Sequence, residues 1–334
     1  MRRAALVVVL LALAGCRSSH AHAPASGVIA LRPLPSQGLV DETRRGIALR
    51  DLRGRRLVWL PGFALYPRTE SAQESLLDFL TGRLPERLLH GPHGWYRLDA
   101  ARHALMPVRN GRVPLAGGAT AVVHRPDKFA VERRGRVVLR GSVETDFVVL
   151  SQRLVQSGTT LLDVATGRRW KLPPDCLTAG FRDRTPIVAC GMGPGADEPL
   201  VLERVLARGV AHPITQPVAH FVPQAASLSP DRRWVAVEGD TGCASRYVYV
   251  APARGGTARL VYGRSPTNPF DANFSELLGW SADGRMVVVF TAPYCDEPYG
   301  PQHPPRGVYL VDPRTLARTY VTRSAEAMWS SRTL

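Results

Sequence analysis

The stretch SLSPDRRWVAVEGD, residues 227–240, decides the fold, because a near copy recurs as LGWSADGRMVVVFTA at residues 278–292. Each copy leads from an apolar segment through Ser-x-Asp and a basic residue into a run of strand-forming residues. Serine and aspartate side chains bond the backbone of tight turns, so each copy predicts two antiparallel strands. Ser229-Pro230-Asp231 and Ser281-Ala282-Asp283 are therefore interpreted as turns and not as reactive groups.

A second hairpin motif alternates with the first. It consists of an apolar strand, a turn that contains Asp or Gly, and a strand that begins with a polar residue. Its clear copies occupy residues 46–62, 94–108, 158–174, 199–215, 246–263 and 307–322, and a weaker copy lies at 128–141. Degenerate copies of the Ser-x-Asp element are expected at 178–191 and 76–91, and a short amphipathic helix is the alternative for 76–91.

The two motifs together give four strands per unit, repeated roughly every 40–50 residues, which is the period of a β-propeller. We predict an all-β propeller of four-stranded antiparallel blades over residues 27–334. Seven blades are favoured and six are the alternative, because residues 109–157 are hard to divide. The tail 325–334 looks like a first strand and residues 27–34 like a second strand. The C-terminal strand is expected to pair with the N-terminal one, which removes exposed strand edges.

The pairs LSPDRRWVAV and WSADGRMVVV resemble the Ser-Pro-Asp-Gly blades of TolB-type propellers and of prolyl-oligopeptidase-type enzymes. The resemblance is good over residues 224–322, weaker upstream and absent before residue 27. It implies a blade and not a function. TolB also carries an α/β domain before its propeller, for which this chain has no room, so the partner binding of TolB is not carried over.

The N-terminus MRRAALVVVLLALAGC combines two arginines with an apolar run too short for a membrane span, which is typical of a secretory signal. Its end, Leu13-Ala14-Gly15-Cys16, resembles the lipobox of bacterial lipoproteins, which implies cleavage before Cys16 and a diacylglycerol on its sulfur. Residues 1–15 are therefore predicted to be the signal peptide, and 16–26 the lipidated cysteine and a flexible tether. An extracytoplasmic, membrane-anchored protein is expected. In a bacterium with two membranes the outer one is expected, because Arg17 is not the aspartate that retains lipoproteins at the inner membrane.

Four further cysteines, Cys176, Cys190, Cys243 and Cys295, suggest two disulfides with three possible pairings. Cys243 and Cys295 occupy equivalent loops of neighbouring units, and Cys176 and Cys190 flank one hairpin. No CxxC spacing supports a zinc site.

The net charge is +15, and nearly all of the positively charged side chains are arginines. In an antiparallel blade the first and third turns share one face, which is predicted to be basic: Arg53, Arg55, Arg56, Arg102, Arg168, Arg169, Arg232, Arg233, Arg285 and Arg314. The other face receives the longer loops, with an acidic cluster: Asp197, Glu198, Asp240, Asp296 and Glu297. The arginines of the basic face are either solvated turn residues that reflect a compositional bias, or they form a surface that binds anionic lipid headgroups or cell-wall polymers. Nucleic acid is not expected as a partner.

No catalytic residue, metal ligand or cofactor is predicted. The segment GWSADG fails the G-x-S-x-G pattern at its last position. His90 and His93 are three residues apart, but no third ligand is suggested, so both are interpreted as solvated in a loop. Trp280 is interpreted as core.

The leading hypothesis is a monomeric, lipid-anchored propeller that binds an envelope protein through its long loops. The candidate contacts are Asp240, Tyr294, Asp296, Glu297, Tyr299 and His303. The alternatives are a propeller lyase or hydrolase, and a glycan or small-ligand sensor, each using the central channel. Phe270, Phe274 and Trp280 near the channel mouth would favour the sensor.

Overall fold

The computed structural model describes residues 27–65, 88–108, 112–125, 128–142, 148–151, 153–174, 176–191, 201–205, 211–213, 215, 222–240, 246–262, 275–290 and 306–330. Over these residues the chain forms seven four-stranded antiparallel sheets. The prediction of a seven-bladed propeller is confirmed, and the six-bladed alternative is wrong. Apart from strands and turns, the described residues contain one short 3₁₀ segment, Ala116–Gly118. No helix in this part of the chain is long and apolar enough to cross a membrane.

Blades 1 to 4 come from the first half of the chain, except for the inner strand of blade 1, which comes from the C-terminus. Blade 1 consists of Ala327–Ser330, Gln37–Thr43, Gly46–Arg50 and Arg56–Pro61. The sheet of blade 2 consists of Leu88–Gly91, Gly94–Asp99, Ala104–Pro107 and, outermost, Ile29–Ala30. The bridge Ala64–His90 places the segment at Ala64 inside Leu88–Gly91, so Gly94–Asp99 and Ala104–Pro107 correspond to strands three and four of the other blades. Blade 3 consists of Arg112–Pro114, Ala119–Arg125, Lys128–Arg133 and Arg136–Ser142. Blade 4 consists of Val148–Val149, Leu154–Ser157, Thr160–Asp163 and Arg169–Lys171.

Blades 5 to 7 follow in chain order. Blade 5 consists of Cys176–Arg182, Thr185–Cys190, Val201–Val205 and Ala211–Pro213. Blade 6 consists of Val222–Leu228, Trp234–Asp240, Arg246–Pro252 and Arg259–Leu260. Blade 7 consists of Ser275–Trp280, Met286–Phe290, Gly307–Val311 and Arg318–Thr322.

The ring closes as expected at the C-terminus but not at the N-terminus. The C-terminal strand Ala327–Ser330 pairs with Gln37–Thr43, and Gln37 lies opposite Ser330. The prediction that residues 27–34 form the second strand of blade 1 is wrong. Ile29–Ala30 instead pairs with Ala104–Pro107 of blade 2. Pro33 and Pro35 explain the difference, because proline has no N–H to donate and is excluded from the middle of a sheet.

Residues 66–87 lie outside the described residues, so most of the ambiguous segment 76–91 is not described. Its last four residues, Leu88–Gly91, form a strand. The preceding segment is antiparallel to this strand at one bridge, Ala64 with His90.

The core lies between the blades. In blade 7 every residue of Met286–Phe290 and of Gly307–Val311 is buried. Neighbouring blades cover both faces of these strands, which is why the strands read as unbroken apolar runs. At the closure, Trp329 is 1% exposed and packs in one cluster with residues of blades 1 and 2.

A repeated hydrogen bond joins successive blades. A side-chain oxygen on the second strand of one blade accepts a backbone N–H at the start of the next. The three copies are Glu42 with Leu65 (3.1 Å), Gln156 with Thr178 (3.0 Å) and Glu238 with Leu277 (2.7 Å). The buried backbone groups are thereby satisfied, which a packed interior requires.

The antiparallel topology gives the propeller two distinct faces. We call turn face the end at which strands one and two, and strands three and four, of each blade connect. The opposite end, which carries the connections between strands two and three and between blades, is the loop face.

Candidate functional site

The two Ser-x-Asp segments form turns on the turn face, as predicted. The Ser229 hydroxyl donates to Asp231 Oδ1 (2.6 Å) and accepts the backbone N–H groups of Arg233 (3.2 Å) and Trp234 (2.9 Å). Ser229 is 1% exposed. Its hydroxyl is therefore occupied by the turn, and nothing in this geometry activates it as a nucleophile.

The second copy repeats the arrangement. The Ser281 hydroxyl bonds Asp283 and accepts the N–H of Arg285 (3.1 Å), and Arg285 forms an ion pair with Asp283 (2.7 Å). Partial desolvation acts to raise the pKa of Asp283, but hydrogen bonds from Arg285 and Ser281 outweigh it and lower that pKa.

A third copy was missed in the sequence. In blade 4 the Ser151 hydroxyl accepts the N–H groups of Arg153 (3.2 Å) and Leu154 (3.1 Å), as Ser229 does in blade 6. The signal was the segment VVLSQRLV, which has the serine and the following strand but no aspartate. Because this serine turn lies in the segment that was hard to divide, recognising it would have favoured seven blades over six.

The candidate contacts on the loop face fall mostly outside the described residues: Tyr294, Asp296, Glu297, Tyr299 and His303, together with Cys16, Cys243, Cys295, Phe270 and Phe274. Asp240 is the last residue of the second strand of blade 6 and lies opposite Arg246 in the register. Its backbone therefore marks the foot of the 241–245 loop.

The foot of these loops is fixed by a charged network between blades 6 and 7. Arg246 Nη1 lies 2.7 Å from Glu276 Oε1 and 3.6 Å from Glu238 Oε1. The Ser275 hydroxyl, fully buried, accepts the N–H of Val248 (3.1 Å). The strands that flank residues 241–245 are thus tied to Ser275–Trp280, the first strand of blade 7, whose Ser275 lies opposite Phe290 at the foot of segment 291–305.

The disulfide Cys176–Cys190 joins directly opposed residues at the loop-face end of blade 5, with a Cα–Cα distance of 4.1 Å. This pairing, one of those predicted, is confirmed. A structural disulfide is typical of proteins outside the cytoplasm, which indicates an extracytoplasmic location. The pairing of Cys243 with Cys295 stays a prediction.

A cavity of about 950 Å³ occupies the central channel and opens on the turn face. The first strands of blades 5, 6, 7 and 1 line it, with an arm that extends between blades 4 and 5. We call this arm the blade 4–5 cleft, and its walls consist of Arg153, Asp163, Thr166, Arg168, Trp170, Phe181 and Arg184.

Arginines dominate the charge of this opening. Arg153 bonds the Asp163 carboxylate through Nε (2.9 Å) and Nη2 (2.6 Å). Desolvation acts to raise the pKa of Asp163, but the hydrogen bonds from Arg153 and Thr166 outweigh it and lower that pKa. The carboxylate therefore stays ionised and is already paired.

The two histidines differ in environment. His93 lies exposed in a turn, as expected. His90 is instead half-buried in the strand Leu88–Gly91, edge-on to Trp95 at 5.2 Å, so its assignment to a solvated loop is wrong. Trp280 is 5% exposed and donates its Nε1–H to the Ser227 carbonyl (3.2 Å), which confirms it as core.

Within the described residues one group of potential metal ligands lies close together: Cys176, Cys190 and Glu203. The first two are joined in the disulfide. The ten arginines predicted for the basic face all lie at first or third turns. Two of them, Arg168 and Arg232, line the channel mouth, together with Arg153 and Arg184.

The class that fold and site define is a seven-bladed, extracytoplasmic β-propeller. No protein-family model matches the chain, and no curated protein matches it. Among solved structures, a protein of Agrobacterium tumefaciens described as TolB is similar at 19% identity (TM-score 0.26) over 41% of this chain and 42% of that one.

Two further solved structures are similar over more of their length. An oligogalacturonate lyase of Vibrio parahaemolyticus shares 12% identity over 89% of this chain and 86% of its own (TM-score 0.45). A periplasmic gluconolactonase of Pseudomonas aeruginosa shares 13% identity over 89% and 98% (TM-score 0.42). A prolyl endopeptidase is similar over 64% of this chain but only 35% of its own length, so the chain spans less than half of it and of the TolB structure.

Proposed function

We propose that the protein is a lipid-anchored propeller of the cell envelope that binds a partner protein through its loop face. The observation that supports this proposal best is the network of Glu238, Arg246 and Glu276 beneath the loops of blades 6 and 7. A fixed base reduces the conformational entropy that a binding surface loses when a partner docks. The contacts proposed on that base are Asp240, Tyr294, Asp296, Glu297, Tyr299 and His303.

The anchor we propose is diacylglycerol on Cys16. The strand Ile29–Ala30 runs antiparallel to Ala104–Pro107, so the chain joins the propeller from the loop-face side of blade 2. Ten residues lie between Cys16 and Gly27, and the eleven steps from one to the other span at most roughly 36–40 Å when fully extended. This length suits a propeller that is held close to a membrane, with the loop face on the side of the anchor.

The test of the binding surface is a pull-down from detergent-solubilised membranes. The wild type is compared with a variant in which residues 293–305 are replaced by a short Gly/Ser turn. A matched control carries Arg53→Ser and Arg55→Ser on the turn face. We expect wild type and control to recover the same specific envelope protein and the loop variant to lose it.

Recovery of the same protein by the loop variant would refute the loop face as the binding surface. Recovery of no specific protein by wild type would count against the partner itself. A thermal midpoint equal to that of the wild type shows that the loop variant is folded.

The anchor is tested separately with Cys16→Ser. We expect the wild type to incorporate a labelled fatty acid and to remain with membranes after a carbonate wash. The variant should incorporate no label and appear in the soluble extracytoplasmic fraction. Equal membrane retention of both would overturn the lipid anchor without affecting the loop-face proposal.

The cavity favours a second candidate function, the binding of a small ligand in the central channel. Its volume, about 950 Å³, lies at the upper end of the ~300–1,000 Å³ range of small-molecule pockets.

A further inference from the structure

The mouth of the channel carries excess positive charge. Four arginines line it, Arg153, Arg168, Arg184 and Arg232, and the only carboxylate in the described lining is Asp163. Because Asp163 is ion-paired with Arg153 at 2.6 Å, it offsets one guanidinium and leaves three. A concave site lined by one sign of charge concentrates its field and attracts ions of the opposite sign.

An aromatic platform adjoins this charge in the blade 4–5 cleft. The guanidinium carbon of Arg168 lies 4.7 Å from the ring centre of Trp170. Trp170 in turn packs at 4.7 Å against Phe181 of blade 5, in a tilted arrangement. Stacking on the indole limits the rotamers of Arg168, so its guanidinium is held ready to bond a planar or tetrahedral anion.

Two of the arginines occupy unfavourable backbone positions. Arg184 has φ 64° and Arg232 has φ 60°, in the left-handed region that normally selects glycine. In the sister turn of blade 7 the position equivalent to Arg232 is Gly284, with φ 82°. These are hairpin turns, in which a positive φ is usual, and the turn geometry fixes where the two arginines leave the backbone at the cavity rim.

The deeper lining is apolar. Leu177 of blade 5, Leu277 and Leu278 of blade 7 and Met328 of blade 1 face the same cavity. A fully hydrated polyanion would leave these side chains without an apolar partner. A molecule with an anionic group at the rim and an apolar body in the channel satisfies both parts of the lining.

We propose that the channel mouth and the blade 4–5 cleft bind a small organic anion, with its carboxylate or phosphate on the arginines and its apolar body against Trp170 and the channel wall. This site lies on the turn face and is independent of the loop-face partner. A flat membrane surface does not fit, because the apolar lining is recessed below the arginine rim.

Isothermal titration calorimetry on the whole chain tests the proposal with four probes: octanoate, octyl phosphate, octanol and inorganic phosphate. We expect at least one octyl anion to bind with a stoichiometry of one and an affinity that falls as salt is added. Octanol and inorganic phosphate should each bind about tenfold more weakly or worse, since each lacks half of the recognised chemistry. Preference for octanoate or for octyl phosphate identifies which anionic group the site takes.

The cleft variant is Arg168→Gln with Arg184→Asn, and the matched control is Arg55→Gln with Arg102→Gln, also on the turn face but outside the cavity lining. Asparagine tolerates the left-handed backbone at residue 184. We expect the cleft variant to lose about tenfold in affinity or more and the control to bind as the wild type does.

Equal binding of octanol, or unchanged affinity in a cleft variant with the wild-type thermal midpoint, would overturn the proposal. If the double variant loses its fold, Arg168→Gln alone decides the question, because this side chain is exposed and unstrained. A loss of roughly threefold or more would support the site, and no change would refute it.

Discussion

The serine hydroxyl of each repeated turn forms several of the hydrogen bonds that hold the turn together. Ser281 is 2% exposed. Its hydroxyl accepts the N–H of Arg285 and shares its single proton between the Asp283 carboxylate and the Arg285 carbonyl. Removal of this buried hydroxyl deletes the hydrogen bonds that it donates and accepts, each worth about 0.5–1.5 kcal/mol, so Ser281→Ala should lower the free energy of unfolding by about 2 kcal/mol. Urea unfolding measures the change. Thr319→Ala, on the exposed outer strand of blade 7, should lose no more than a few tenths of a kcal/mol; equal losses would mean that the turn hydroxyl is not special.

The backbone of the same turns gives opposite expectations for two equivalent positions. A methyl group on Gly284 would meet no atom within 4 Å, so Gly284→Ala tests the positive φ alone and should destabilise by about 1 kcal/mol. Arg232→Gly relieves the same strain but adds glycine entropy, so stability should be unchanged or rise by up to about 1 kcal/mol. Thermal unfolding measures both changes. A clear loss of stability in Arg232→Gly would show that its side chain holds the turn.

At the scale of strands and hairpins, the sequence predicted what is local. The hairpin 307–322 holds its turn signal and both strands within sixteen residues, and it was found. The strand Gln37–Thr43 was missed in favour of 27–34, because its partner Ala327–Ser330 lies almost 300 residues away. The blade 4–5 cleft was missed for the same reason: Arg153, Arg168 and Arg184 come together only through the stacking of two blades. The ten turn-face arginines were found because their positions follow from hairpin topology alone.

The junction between blades 7 and 1 contains a carboxyl group with an unusual titration. Partial desolvation, together with the charges of Asp41 and Glu42, raises the pKa of Glu326 from 4.5 to about 7, although the residue as a whole remains exposed. Arg50 is paired with Asp41 at 2.8 Å and offsets part of that charge, so desolvation remains the main cause of the raised pKa. The folded state therefore binds more protons than the unfolded chain between about pH 4.5 and 7, so stability falls as pH rises through that window.

Glu326→Gln should flatten this dependence. The amide keeps an oxygen to accept the Glu42 N–H, which lies 2.7 Å from the carboxylate, and it carries no charge. We expect the variant to match the wild type at pH 4 and to exceed it at pH 8 by about 1 kcal/mol or less, given screening by solvent. Urea unfolding across the pH range measures the slope. Arg306→Gln, an exposed change that also removes one charge, should keep the wild-type slope; a wild-type slope in Glu326→Gln would assign the titration to another group.

At the scale of the whole molecule, the two proposed sites point in opposite directions. The chain joins blade 2 from the loop-face side, which is also the side of the proposed anchor and of the proposed partner. The arginine-lined channel mouth opens on the turn face, away from that side. A soluble anion therefore reaches the channel without displacing a partner from the loops. The two proposed sites lie on opposite faces of one ring of seven blades. Both therefore depend on the ring being closed.

Ring closure depends on four residues at the end of the chain. Ala327–Ser330 supplies the inner strand of blade 1, and Trp329 packs over Gly38, where a Cβ would lie 2.2 Å from the indole. Gln37 continues the closure into blade 7: its Nε2 donates to the Trp280 carbonyl (3.2 Å) and its Oε1 accepts the Ala282 N–H (2.6 Å).

Deletion of residues 327–334 should expose the edge of Gln37–Thr43 and uncover the buried cluster, so we expect aggregation or loss of a cooperative thermal transition. Deletion of residues 331–334 alone leaves the strand in place and should keep the wild-type midpoint within a few degrees. A cooperative wild-type transition in the longer deletion would mean that the blades hold together without this closure, and that the pairing of Gln37–Thr43 with the C-terminal strand is dispensable.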